Sequence, residues 1–177
     1  MRKVIFGVAN SLDNFIARKD GAVDWLLWSD DVQKIIADFW KTIDTVLMGR
    51  KTYNPAVEHS SGNPYKGVKT YVFSRTLEES KNEDVEIIRA DAAEFVRNLR
   101  SEDGKNICVM GGGELAQSLF EAEMIDEVSL NIHPVLLGSG IPLFHEMKHQ
   151  VDLELVECRT LDKGCILSTY RVRHRSD

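Results

Sequence analysis

The chain has 177 residues, 43% of them hydrophobic and 28% charged, with a formal net charge of −6 at pH 7. That balance suits one soluble globular domain and excludes a general polyanion binder, because an acidic surface repels nucleic acid and anionic membrane alike and leaves room only for a local basic pocket. Three cysteines without a C-x-x-C pair exclude a disulfide framework or zinc knuckle.

The chain opens on "KVIFGVA" (residues 3–9), a short β-rich run that reads as a buried strand. Its N-terminal apolar stretch is broken too soon for a signal peptide, and no run approaches the ~18 apolar residues of a membrane span. With the unpaired cysteines, this predicts a cytoplasmic protein. "NSLDNFIARKDGAVDWL" follows, punctuated by Asn, Asp and Gly, and reads as a long loop. Loops of that length inside compact domains are often functional.

A helix is expected from Asp30, which stands at capping-box spacing from Gln33. Val32, Ile35, Ile36, Phe39 and Trp40 supply its apolar stripe. "TVLM" (45–48) is the next strand, after which "GRKTYNP" turns at Gly49 and closes at Pro55. A polar loop covers 59–67. "VKTYVFSR" (68–75) and "VEIIRA" (85–90) are further strands. Asp91 and Glu94 repeat the capping-box spacing ahead of a helix with Phe95, Val96 and Leu99 on its buried face. "NICVM" (106–110) is a fifth strand and a helix runs from about Glu114 to Ala122.

Beyond that the pattern changes. "DEVSLNIHPVLL" (126–137) alternates, with Val128, Leu130 and Ile132 on one face and Ser129, Asn131 and His133 on the other. "GSGIPLF" is a turn-rich connector, and "LELVECRTL" and "CILSTYRV" flank "DKG" as a hairpin. The order predicts one α/β domain over residues 1–177. Its mixed, mostly parallel sheet should carry helices on both faces, with an antiparallel hairpin at the C-terminal end.

Three strand ends carry groups suited to phosphate. "VMGGGEL" joins a strand to a helix, where free backbone N–H groups and the helix dipole favour an anion. A merely tight turn between the two elements is the alternative. Gly111, Gly113 and Ala116 match the loose spacing of a dinucleotide fingerprint, but they come late and antiparallel strands follow, which excludes a Rossmann arrangement. "MGRKT" (48–52) supplies Arg50, Lys51 and the Thr52 hydroxyl, and "FSR" (73–75) supplies Ser74 and Arg75. Each cation alone could equally be a solvated surface charge. Together they gather cations at the strand edge where ligands of open α/β sheets bind.

In this order, "GVANSLDNFIA", "TVLMGRKTY", "VFSR", "VMGGGELAQSLF" and "LLGSGIPLF" resemble the dihydrofolate reductase-like superfamily over about residues 3 to 173. "SLD" and "LLGSGIPLF" are closer to its branch containing the reductase domain of the bifunctional riboflavin-biosynthesis deaminase–reductase. The resemblance implies the three-layer fold of that superfamily and an NADPH-dependent reductase. It implies that Gly49, Arg50, Lys51, Thr52, Ser74 and Arg75 hold the adenosine end, with Arg50 and Arg75 at the 2′-phosphate. Gly111, Gly112 and Gly113 would carry the pyrophosphate, with Glu114 and Leu115 at the helix start, and Ala9 and Ile16 would border the nicotinamide. The first loop would act as a lid.

Dihydrofolate reductases carry a carboxylate at the start of the first helix. The nearest residue here is Asp31, a candidate catalytic acid or simply a first-turn acid favoured by the helix dipole. Trp25 and Trp28 could each wall a substrate pocket, with Trp25 a loop anchor as the other reading. Asn131 falls where the family has a strand side chain facing the substrate, and otherwise reads as an exposed strand polar. A homodimer is implied by the branch. A dihydrofolate reductase and a non-catalytic NADPH-binding module remain the alternatives. His145 and His149 would meet on one face only if "FHEMKHQ" were helical, and no third ligand is apparent, so no metal site is expected.

Overall fold

The computed structural model describes residues 1–53, 67–80, 82–111 and 113–174. In chain order the elements are β1 (Val4–Ser11), β2 (Phe15–Ala17), α1 (Asp30–Lys41), β3 (Ile43–Gly49), β4 (Lys69–Phe73), β5 (Val85–Ile88), α2 (Ala92–Ser101), β6 (Asn106–Met110), α3 (Gly113–Glu121), β7 (Glu127–His133), β8 (Ile141–Pro142), β9 (Asp152–Thr160) and β10 (Ile166–Arg173). Residues 50–53 are also helical, and a 3-10 turn at Asp162–Gly164 joins β9 to β10. Pro55 and all of the 59–67 loop except Gly67 lie outside the described residues.

Eight strands form one sheet in the order β5-β4-β3-β6-β1-β7-β10-β9. Every pairing from β5 to β7 is parallel, and only β10 runs against its two neighbours. The pleat sends alternate residues to opposite faces. Val4, Phe6, Leu47, Ile107 and Val109 pack on one face under α2 and α3, which contribute Val96, Leu99, Leu119 and Phe120. Ile5, Val46, Met48, Val72 and Cys108 take the other face, against Phe39 and Trp40 of α1. The apolar stripe of α1 is as the periodicity implies, yet within it only Val32 is buried.

The first turn of α1 differs in detail from the expected capping box. Ser29, not Asp30, is the N-cap, and its carbonyl accepts the N–H of Gln33. The Ser29 hydroxyl is turned onto the Asp31 carboxylate instead of the helix backbone. Asp91 does cap α2, accepting the Glu94 N–H at 2.9 Å.

The long first loop is not structureless. Its centre forms β2, which pairs with β8 from the late connector. Around that pair the Leu12 N–H reaches the Val135 carbonyl and the Leu143 N–H the Asn14 carbonyl. Asp13 completes the seam: its carboxylate accepts the N–H groups of Leu137 at 3.1 Å and Gly138 at 2.7 Å, and the Ser11 hydroxyl at 2.6 Å. The "SLD" and "LLGSGIPLF" segments are therefore two halves of one interaction.

Those hydrogen bonds, the Ser11 hydroxyl first, hold the Asp13 carboxyl below its ordinary value of 3.8. A depressed native value contributes stability that is complete above the unfolded value and lost as pH falls through the native one. Asp13→Asn is therefore expected to flatten the acid limb of stability below about pH 4 and to lower the melting temperature at neutral pH. Thermal unfolding of both proteins across the acid range measures this; superimposable acid limbs would refute it.

Candidate functional site

The register aligns Gly49 with Phe73 and Met48 with Met110, so β4, β3 and β6 end side by side at one edge. Each strand then releases a different phosphate-competent segment. After β3, Arg50 and Lys51 are exposed at the start of the helical turn. After β4, the Ser74 hydroxyl accepts the N–H groups of Thr76 and Leu77, closing a turn that leaves Arg75 exposed. After β6, Gly111 turns with φ +72° and α3 begins at Gly113 with φ +66°.

The glycine requirement has a local cause at both positions. A Cβ on Gly111 would lie 2.0 Å from the Thr52 Oγ1, so the Thr52 hydroxyl occupies the space a side chain would fill. A Cβ on Gly113 would lie 2.7 Å from the His145 Nε2. Thr52 thereby locks the "MGRKT" segment against the glycine turn. Gly112 lies outside the described residues. Glu114 is exposed on the first turn of α3, whereas the Leu115 side chain is buried in the core, so only its backbone faces the helix end. This edge combines helix N-terminal N–H groups, a hydroxyl and three exposed cations, a donor set that fits a dinucleotide phosphate.

β1 leaves β6 after Phe6 and continues to Ser11 beside β7 alone. There Ala9 is level with Asn131 and Ser11 with His133. On the α1 side of this pair lies a cleft lined by Ala9, Asn131 and His133 from the sheet and by Val32 and Ile36 from α1. Leu26, Leu27 and Trp28 close it as a strap, leaving a cavity of about 30 Å³. Ile16 sits apart from the cleft, packed on the core at β2.

His133 organises the strap. It is 1% exposed, and its Nδ1 accepts the Leu27 N–H at 3.1 Å. Trp25 stands edge-on to the imidazole at 5.4 Å, and the buried Cys165 thiol lies 3.5 Å from Nδ1. Burial pushes the imidazole pKa below its ordinary value. Neither the His133 Nε2 nor the Asn131 Oδ1, both buried, has a partner among the described residues. His133 was legible in sequence only as a position two beyond Asn131 on the same strand face.

Two expected positions sit differently. Trp25 is not a wall of the cleft but packs behind His133, and the aromatic wall is Trp28. Asp31 is committed to structure: it accepts the Ser29 hydroxyl, the Val32 N–H at 2.7 Å and, from the β9–β10 turn, the Asp162 N–H at 2.6 Å. These bonds, the Ser29 hydroxyl foremost, hold its carboxyl below the ordinary value. The same turn pins the strap, since the Lys163 ammonium donates to the Trp28 carbonyl at 2.6 Å. Residues 144–149 are not helical, so the i, i+4 geometry of His145 and His149 does not arise. Among the described residues no three potential metal ligands are grouped, and no helix is long and apolar enough to cross a membrane.

Known proteins share both sequence and fold with this chain. The family model described as the RibD C-terminal domain matches residues 2–167. The uncharacterized protein YwjB of Bacillus subtilis is 38% identical over 87% of this chain and 89% of its own length. A putative riboflavin biosynthesis protein from Shewanella sp. PV-4 superposes with a TM-score of 0.85 at 26% identity, covering 98% of this chain and 100% of its own. A diaminohydroxyphosphoribosylaminopyrimidine deaminase/5-amino-6-(5-phosphoribosylamino)uracil reductase from Thermotoga maritima shares the fold, with a TM-score of 0.72 at 17% identity; 97% of this chain matches 57% of that one. The dihydrofolate reductase-like three-layer architecture expected from the sequence is the one observed.

Proposed function

The chain belongs to the RibD C-terminal domain family, and from that premise we propose that it is an NADPH-dependent reductase. As a single domain over residues 1–177, it would deliver hydride to a small heterocyclic or sugar-derived substrate. In this reading it resembles the 5-amino-6-(5-phosphoribosylamino)uracil reductase domain of riboflavin biosynthesis. The observation that carries the reading is the meeting of three phosphate-competent strand ends on one edge, beside the cleft bordered by Ala9 and Asn131.

NADPH, when bound, supplies the hydride. Arg50 and Arg75 hold the 2′-phosphate, with Lys51 and the Ser74 turn beside them. The backbone from Gly111 to Leu115, including Gly112, and the Thr52 hydroxyl hold the pyrophosphate. Gly49 leaves the edge open, with no atom of the described residues within 4 Å of where its Cβ would stand, and Glu114 flanks the helix end. Ala9 would border the nicotinamide from the cleft and Ile16 from the β2 side, outside the cleft, and the strap excludes water from the cleft. Asp31 is held ionised by its hydrogen bonds, so water is the better-supported proton source. The same commitments leave Asp31 poorly disposed to grip a pterin, which weakens the dihydrofolate reductase reading.

Calorimetric titration with NADPH and NADH tests the cofactor; tight NADPH binding and weak NADH binding are expected, and equal affinities would overturn the reading. NADPH consumption across pyrimidine, pterin and carbonyl substrates tests catalysis, and binding without turnover would leave a nucleotide sensor. The three free cysteines, two of them buried, suit work in the cytoplasm.

We also propose a homodimer. β9 is an open sheet edge exposed along its whole length, with Leu155 56% and Val156 52% exposed, and such edges invite pairing unless covered. Leu155→Lys is expected to give a monomer by light scattering where the parent chain is a dimer. A monomeric parent, or a variant dimer of unchanged strength, would refute it.

A further inference from the structure

We propose that His133 is the substrate-contacting hydrogen-bond donor of the cleft, presenting its Nε2–H to a ring carbonyl of the ligand, with Asn131 reading a neighbouring N–H. This rests on the reductase reading and assigns the cleft's polarity within it.

The tautomer follows from the strap. A backbone N–H can only donate, so the Leu27 N–H at 3.1 Å makes Nδ1 an acceptor and puts the proton on Nε2. The ring is held in that orientation by the edge-on Trp25 at 5.4 Å. Buried polar atoms in native proteins are almost always paired, so an orphaned donor beside an orphaned acceptor demands a reason. Among the described residues the Nε2 of His133 and the Oδ1 of Asn131 both lack a partner, both residues line one cleft, and they are two positions apart on one strand face. The rest of the lining is apolar or aromatic: Ala9, Leu26, Leu27, Trp28, Val32 and Ile36. Apolar walls with one donor and one acceptor suit a planar heterocycle, whose faces are apolar and whose edge carries a carbonyl beside an N–H.

The cavity, about 30 Å³, is too small for such a ring, so the ligand enters by displacing side chains of the strap. Trp28 is 55% exposed and can swing outward without uncovering the core. Leu27 need not leave Nδ1, so the strap bond that sets the tautomer persists while the ring is admitted. His133 therefore joins strap and ligand through its two nitrogens.

The test uses the full ¹⁵N-labelled chain with saturating NADPH, titrated with uracil and with 1,3-dimethyluracil, which keeps the carbonyls and lacks the N–H groups. The imidazole nitrogens of the parent protein should report a protonated Nε2, and uracil should shift that resonance. His133→Leu should weaken uracil at least tenfold while His133→Gln, which keeps a donor, recovers most of the loss. Asn131→Leu should weaken uracil but not dimethyluracil. A proton on Nδ1, an unmoved Nε2 resonance on binding, or uracil affinity indifferent to both substitutions would overturn the assignment. NADPH binding without His133-dependent uracil binding refutes this inference alone; loss of both NADPH and uracil binding in the parent chain refutes the reductase reading with it.

Discussion

Gly111→Ala is expected to abolish NADPH binding and to lower folding stability by about 2 kcal/mol, the order of cost for a non-glycine residue forced into left-handed backbone against a packed neighbour. Two effects combine. The backbone at Gly111 has φ +72°, a conformation L side chains rarely adopt. A Cβ there would also stand 2.0 Å from the Thr52 Oγ1 and 2.8 Å from its Cβ, a clash no rotamer of a β-branched neighbour removes. Relief by backbone movement would separate the glycine turn from the helical turn at 50–53, and with it the two segments assigned to the pyrophosphate and the 2′-phosphate. Gly111→Ala combined with Thr52→Ala should recover part of the stability, because the hydroxyl contact is gone, but not NADPH binding, because the φ strain and the lost hydroxyl remain. Chemical denaturation and calorimetry read the two effects separately. A Gly111→Ala protein that binds NADPH as the parent does would refute the assignment of this turn to the pyrophosphate.

The double variant Arg50→Ala, Arg75→Ala is expected to weaken NADPH by about 30- to 100-fold and to leave NADH within about threefold, taking roughly tenfold per charged hydrogen-bonding partner. Both guanidinium groups are exposed, with no ion pair to another described residue, so neither substitution strands a buried carboxylate and neither should unsettle the fold. Exposure also sets the ceiling: solvent screening holds each contribution below that of a buried pair, and raising the salt should narrow the gap between variant and parent. Equal losses for NADPH and NADH would move the two arginines away from the 2′-phosphate.

Local patterning is enough for most of the elements, because each rests on short-range physics. The strand at 106–110, the capped helix after Asp91 and the hairpin around "DKG" follow from β-rich runs, an Asx cap and turn chemistry. The convergence of the three strand ends was also legible: in a parallel sheet every strand ends at the same side, so a glycine turn and basic residues after successive strands must meet.

What failed locally failed for a tertiary reason. β2 is a three-residue strand whose pairing strand among the described residues is β8, Phe15 opposite Pro142 and Ala17 opposite Ile141, beyond any windowed pattern, since strand pairing is decided by the neighbour and not by the segment alone. Asp31 and Asp13 look alike as loop and first-turn acids, yet one anchors the β9–β10 turn and the other the late connector, because distant backbone N–H groups happen to meet them. Alternation by itself put Asn131 and His133 on one face; the cleft they line, where one atom of each has no partner among the described residues, needed α1, β1 and residues 26–28 brought together. By itself the sequence determined the sheet, its helices and the cationic edge, all products of periodicity and chain direction. Only the tertiary structure decided which polar atoms are satisfied and which are not, because hydrogen-bond satisfaction depends on neighbours that the chain supplies from far away.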